Sequence, residues 1–170
     1  VGNHSSGKQG YALAQAALDA GANVTLISAP TQLAIPFGAD FVIVKTAKEM
    51  ETAVLKACQD SDALIMAAAV ADYSPISISD NKIKKSSPKP FILELAPTPD
   101  VLLSVKAYKS QHQSPKFVIG FAAETEQLIQ NAVIKLHEKG LDMIVANDVS
   151  SLDSGFSSDN NRVALITKDE

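Results

Sequence analysis

The run ALIMAAAV at residues 63–70 is apolar without a break, and it limits the fold more than any other stretch of the chain. A strand with one wet face alternates apolar and polar side chains. One that is apolar on both faces belongs in the middle of a parallel sheet, with helices packed above and below. The rest of the chain supplies suitable neighbours. NVTLIS (23–28), FVIVKT (41–46), FILEL (91–95), KFVIGFAA (116–123), DMIVAND (142–148) and RVALIT (162–167) read as strands. KQGYALAQAALDA (8–20), AKEMETAVLKACQ (47–59), the segment from Asp100 to about Gln111, and TEQLIQNAVIKLHEKG (125–140) carry apolar residues at helical spacing. This alternation predicts an α/β fold: a Rossmann-like, doubly wound, mainly parallel sheet with helices on both faces. No repeat or linker divides residues 1–170, which are expected to form one domain. Residues 73–90 are rich in Pro, Ser, Asp, Asn and Lys and too long for an ordinary connection, so they predict a flexible flap.

Composition removes several function classes. Lys and Arg number 15 against 19 Asp and Glu, a net charge of −4, which argues against general nucleic-acid binding. Cys58 is the sole cysteine, so no internal disulfide forms, and its helical, apolar neighbours make it a small core residue. His4, His112 and His137 have no metal-ligand spacing. Neither a membrane-length apolar run nor a signal-peptide pattern is seen, and a cytoplasmic location is expected.

In open α/β sheets ligands bind beyond the carboxyl ends of the strands. That directs attention to Asp72, to 121–124, to Asn147 and Asp148, and to the helix start at Ser5, Ser6 and Gly7. GNHSSGK (2–8) has the G-x-x-x-x-G-K spacing of a P-loop, but Gln9 stands where a Ser or Thr hydroxyl would reach Mg²⁺. A P-loop NTPase is therefore the weaker reading. Free N–H groups at a helix start attract an anion, although Ser5 and Ser6 would serve equally as plain caps. The Asn3 amide can orient a carbonyl or phosphate oxygen. DNKIKK (80–85) gathers Lys82, Lys84 and Lys85, which either make a solvated loop or close on a triphosphate. Lys135 and Lys139 lie four residues apart on one helical face, in turns where the dipole favours cations even without a ligand. Phe121 follows small residues that permit close backbone approach, and a core position is its plainer reading.

In chain order NHSSGKQG, AAVADY, KIKK, PTPDVL, VIGFAAET, ANDVS and GFSSDNN resemble the phosphopantothenate–cysteine ligase family over nearly the whole chain. The resemblance implies a ligase of coenzyme A biosynthesis that joins 4′-phosphopantothenate to L-cysteine. CTP would activate the carboxylate as an acyl-cytidylate, releasing pyrophosphate and then CMP; eukaryotic members prefer ATP. It also implies Mg²⁺, a homodimer, and fusion in longer bacterial proteins to an FMN-dependent phosphopantothenoylcysteine decarboxylase. By motif, Asn3 and Lys82 take catalytic roles, Lys82 also holding phosphates. Met66, Ala67 and Ala68 present backbone groups to the base, and Asp72 is a further nucleotide contact. Pro99, Asp100, Val101 and Leu102 border the nucleotide with Phe121, Lys135 and Lys139, while Ser5 and Ser6 belong to the anion-binding helix start. The metal ligands are not identified. The family carries a strand and a glycine-rich loop before the asparagine motif and a tail after the last strand. The domain as given is expected to lack both. A non-catalytic Rossmann-like nucleotide-binding module is the alternative reading of the same residues.

Overall fold

The computed structural model of the chain describes residues 6–77, 79, 81–84, 92–124, 127–148 and 163–168. Among these residues four helices and eight strands follow one another as α1 (Lys8–Asp19), β1 (Thr25–Ser28), β2 (Asp40–Ile43), α2 (Ala47–Ala57), β3 (Ala63–Met66), β4 (Tyr73–Pro75), β5 (Leu95–Pro97), α3 (Val101–His112), β6 (Phe117–Glu124), α4 (Leu128–Lys139), β7 (Met143–Asp148) and β8 (Val163–Thr167).

The helix ends follow from local sequence. Gly21 takes a left-handed φ of 85° just past α1. Its N–H donates to the Leu18 carbonyl at 2.8 Å while Ala22 N–H reaches Ala17 at 3.0 Å, so the last turn is closed by paired backbone bonds. Thr46 caps α2 by accepting the Glu49 N–H at 3.1 Å, and Glu49 in turn accepts the Lys45 N–H at 2.6 Å. Asp100 caps α3 through the Leu103 N–H at 3.0 Å.

β1 and β2 pair in parallel. β3, β6 and β7 form a parallel ladder in that order, and β8 closes it antiparallel to β7. β4 and β5 make a separate antiparallel ribbon. Helices α2, α3 and α4 cover one face of the four-stranded ladder. There Met66, Val118, Ala122, Ile144, Ala146 and Ile166 meet Met50, Val54, Val105, Ala132 and Leu136. Cys58 is buried in this core, and burial pushes its thiol pKa up, as suits a small hydrophobe. The Ser104 hydroxyl, donating to Glu51 at 2.5 Å, ties α3 to α2. On β1–β2 the other face carries α1, with Tyr11 and Ala14 against Leu26.

Helices therefore lie on both sides of the domain, over different strands. Among the described residues the second face of the four-stranded ladder is uncovered: Ile65 is 42%, Phe117 60% and Leu165 60% exposed. Three further expectations change. The strand of 63–70 stops at Met66 and pairs only with β6 among the described strands, so it ends the ladder rather than occupying its centre. Its apolar continuation leaves the ladder to wall a cleft. The strand placed at 91–95 begins instead at Leu95, and 73–75, assigned to the flap, is its partner. The ribbon closes at its base, where Thr98 N–H donates to the Asp72 carbonyl at 2.9 Å and the Thr98 hydroxyl to the Ala71 carbonyl.

A candidate anion-binding cleft at the end of β3

β3 and β6 are in register with Met66 opposite Gly120, so the chain leaving Met66 passes beside Phe121. A cleft of about 190 Å³ opens there. Met66, Ala68, Val70 and Asp72 form one wall, and Phe121 another. Thr98, Pro99 and the first residues of α3, Asp100, Val101 and Leu102, form a third, facing Lys135 and Lys139 of α4. Backbone, helix start and two lysines thus converge from segments far apart in sequence.

The charges are held in place. Lys135 Nζ donates to the Phe121 carbonyl at 2.8 Å, which ties α4 to β6. Lys139 Nζ lies 2.5 Å from Asp100 Oδ2, and Lys106 Nζ donates to the Glu138 carbonyl at 2.8 Å beside it. Burial alone would raise the Asp100 carboxyl pKa. Hydrogen bonds from Lys139 and from the Leu103 and Leu102 N–H groups, with the Lys139 charge, hold it below the ordinary carboxylate value instead. The side chains of Lys139 and Asp100 are 21% and 41% exposed. Such a pair contributes about 1 kcal/mol or less to folding, so its placement matters more for the cleft than for stability. Nearby, Asn147 on β7 sits opposite Ala123 of β6. Its Oδ1 is buried and makes no hydrogen bond among the described residues.

Of the residues singled out by sequence, Met66, Ala68, Asp72, Pro99, Asp100, Val101, Leu102, Phe121, Lys135 and Lys139 line this one cleft. Ala67 lies between two lining residues but does not line it. Ser6 is exposed at the start of α1 and accepts the Lys8 N–H at 3.4 Å, away from the lining residues. Lys82 is exposed and does not line the cleft either. Asn3 and Ser5 fall outside the described residues. Sequence reasoning missed Thr98 and Val70. Thr98 stands between two prolines in APTPD, a rigid stretch next to a capping Asp, and that was the available signal.

Among the described residues no group of three or more His, Cys, Asp or Glu side chains comes together to hold a metal ion. The cleft does offer the Asp72 carboxylate, Asp100 being engaged by Lys139 and the Leu103 N–H. That suits Mg²⁺ bound mainly through water and a substrate's own phosphates. Among the same residues no helix is long and apolar enough to cross a membrane.

A parallel-dominated α/β fold with lysines and a helix N-terminus around a cleft at a strand's carboxyl end defines a Rossmann-like domain. The chain belongs to the family described as DNA/pantothenate metabolism flavoprotein C-terminal domain, which matches residues 1–170. It is 43% identical over 170 residues to the coenzyme A biosynthesis bifunctional protein CoaBC of Vibrio cholerae, covering 99% of this chain and 42% of that protein. The chain thus spans about two-fifths of the curated relatives it matches. The crystal structure of the C-terminal domain of a CoaBC protein superposes with a TM-score of 0.77 at 37% identity, covering 98% of this chain and 71% of that one. A more distant structure, the Cab2 mutant H337A in complex with phosphopantothenate-cysteine, shares the fold at a TM-score of 0.57 and 16% identity, over 78% of this chain and 44% of that one.

Proposed function

We propose that this domain is the phosphopantothenate–cysteine ligase part of a coenzyme A biosynthesis protein, with CTP as activating co-substrate. The observation that carries the reading is the convergence of Lys135, Lys139 and the N-terminus of α3 on one cleft walled by the 66–72 backbone. An unactivated carboxylate is a poor acyl donor. Its oxygen attacks the α-phosphorus of CTP, pyrophosphate leaves, and the acyl-cytidylate forms. The cysteine amine then attacks the acyl carbon, CMP departs, and the amide remains. Charge builds on phosphate oxygens in the first step, where lysines and helix N–H groups stabilise it. Asp72 would help hold a Mg²⁺ ion bound to the triphosphate, which would supply partial neutralisation of that charge. Asn3 is assigned to orienting the acyl-nucleotide, and Lys82 to the phosphates. The bacterial relatives are bifunctional coenzyme A biosynthesis proteins, which supports the reading, and their greater length leaves room for an FMN-dependent decarboxylase. A cytoplasmic location belongs to the same reading.

A homodimer belongs to the same reading. Ile76 is 62% and Ile92 83% exposed beside the β4–β5 ribbon, with Tyr73, Leu93 and Leu95 also exposed. A two-stranded ribbon is marginal alone in water, and a second copy's ribbon would cover these side chains.

The test is pyrophosphate release by the full-length protein, with CTP and ATP side by side. Release that needs triphosphate, 4′-phosphopantothenate and cysteine together is expected, faster with CTP. Tight nucleotide binding without such turnover would mark a non-catalytic binding module instead. Phosphate release without an acyl acceptor would point to an NTPase.

A further inference from the structure

Asp100 spends its carboxylate on the donors that a phosphate would seek. Oδ1 accepts the Leu103 N–H at 3.0 Å at the start of α3, and Oδ2 accepts Lys139 Nζ at 2.5 Å. The two partners come from different elements, 39 residues apart in the case of Lys139. The α3 helix is 12 residues long, enough for a developed dipole at this end. Lys135 is held separately, by the Phe121 carbonyl at 2.8 Å.

We propose that Asp100 is a specificity-determining positioning residue: its carboxylate occupies one end of the cleft in place of a phosphate and keeps Lys139 neutralised until a polyanion arrives. An anion must offer Lys139 and the α3 N-terminus more than Asp100 already does. Inorganic phosphate has too few contacts to compete. A triphosphate that engages Lys135 and Lys139 together gains enough to take Lys139 over. The residue thereby biases the cleft toward chain-like polyphosphates and against the small anions abundant in any cell. This deepens the nucleotide reading above and rests on it.

The experiment is equilibrium binding by calorimetry to the full-length protein at fixed ionic strength in EDTA. The probes are sodium phosphate, tripolyphosphate and CTP. Asp100→Asn keeps a good N-cap and the side-chain shape while removing the charge, and Asp100→Ser is a second capping variant should Asn perturb folding. In Asp100→Asn, inorganic phosphate is expected to bind at least about tenfold tighter and tripolyphosphate only a fewfold tighter, narrowing selectivity; removal of one unit charge at contact distance is ample for that. The gain is expected to vanish in the Asp100→Asn/Lys139→Gln double variant, which a purely structural role of Asp100 would not produce. Unchanged or weaker phosphate binding in both folded Asp100 variants would overturn the proposal, as would a gain that persists without Lys139. If wild type binds neither CTP nor tripolyphosphate, the nucleotide reading itself fails and this inference falls with it.

Discussion

Gly120 stands where the core and the cleft meet, and replacing it by Ala should damage both. It lies on β6 between Met66 of β3 and Ile144 of β7. A Cβ built there comes within 2.6 Å of Leu141 Cδ1, with Cδ2 at 3.5 Å and Cγ at 3.6 Å. The end of a leucine side chain can swing away on a surface. Leu141 cannot do so cheaply, because it is fully buried and its N–H is bonded to the Leu136 carbonyl at 2.9 Å. Forcing one methyl into such a site costs about 1–3 kcal/mol. Restricting the unfolded chain returns about 0.4–1 kcal/mol. The net loss is about 1–2 kcal/mol, and for a domain of this size each kcal/mol lowers Tm by about 2–4 °C. Because the next residue, Phe121, supplies the carbonyl that holds Lys135, nucleotide affinity should fall as well. Urea and thermal unfolding of Gly120→Ala, Leu141→Ala and the double variant measure this. Leu141→Ala alone should cost about 2–5 kcal/mol by leaving a cavity. In the double variant the added methyl partly fills that cavity, so the pair should be more stable than the sum of the single losses by about 1 kcal/mol or more. A Gly120→Ala protein as stable as wild type, or strictly additive losses, would refute the argument.

Asp142 accepts from Lys109 at 2.6 Å, from Lys168 at 3.1 Å and from the Val118 N–H at 2.8 Å. Burial raises its carboxyl pKa, but these donors outweigh burial and leave it lowered. Its contribution is therefore present above the ordinary value of 3.8 and lost as pH falls through the lowered one. Asp142→Asn should cost about 2 kcal/mol at pH 7 and flatten the loss of stability below that ordinary value, read from urea midpoints against pH. Thr98→Val removes the hydroxyl that bonds the Ala71 carbonyl; a local loss of about 1 kcal/mol should appear as faster hydrogen exchange at the amides of Ser74, Ala96 and residue 98, with Tm nearly unchanged. Leu136→Ala empties a core position shared by α4 and the ladder and should cost about 2–5 kcal/mol, checked by the urea midpoint.

Much of the element list was legible because helices announce themselves by spacing and caps. Thr46 with Glu49, Asp100 with Leu103, and Gly21 are local signals of this kind, and the structure shows the hydrogen bond that each makes. Strand direction and order are not local. Nothing in RVALIT says that β8 runs antiparallel to β7. The β4–β5 ribbon was hidden for another reason: Tyr73-Ser74-Pro75 and Leu95-Ala96-Pro97 each end in proline and show little alternation. Proline removes a donor, and a short exposed ribbon tolerates that where a central strand would not. The ALIMAAAV run misled through its composition. Its second half is apolar because it borders a cleft, not because it continues a strand.

The same distinction explains which parts of the cleft could be read in advance. Lys135 and Lys139 were visible as an i, i+4 pair with an ordinary structural explanation, and Asp100 as the start of a helical segment. Their meeting is a tertiary event, set by how α3 and α4 pack on the ladder, and no pairwise sequence rule spans the distance from 100 to 139. Once they meet, the ordinary explanations no longer compete with the functional one. A cap that also neutralises a lysine, and a C-terminal lysine that also faces a cleft, satisfy the helix dipoles with the same atoms to which the proposal gives the tuning of the site. Conservative replacement of Asp100 separates the two roles, because Asn retains the cap and loses the charge.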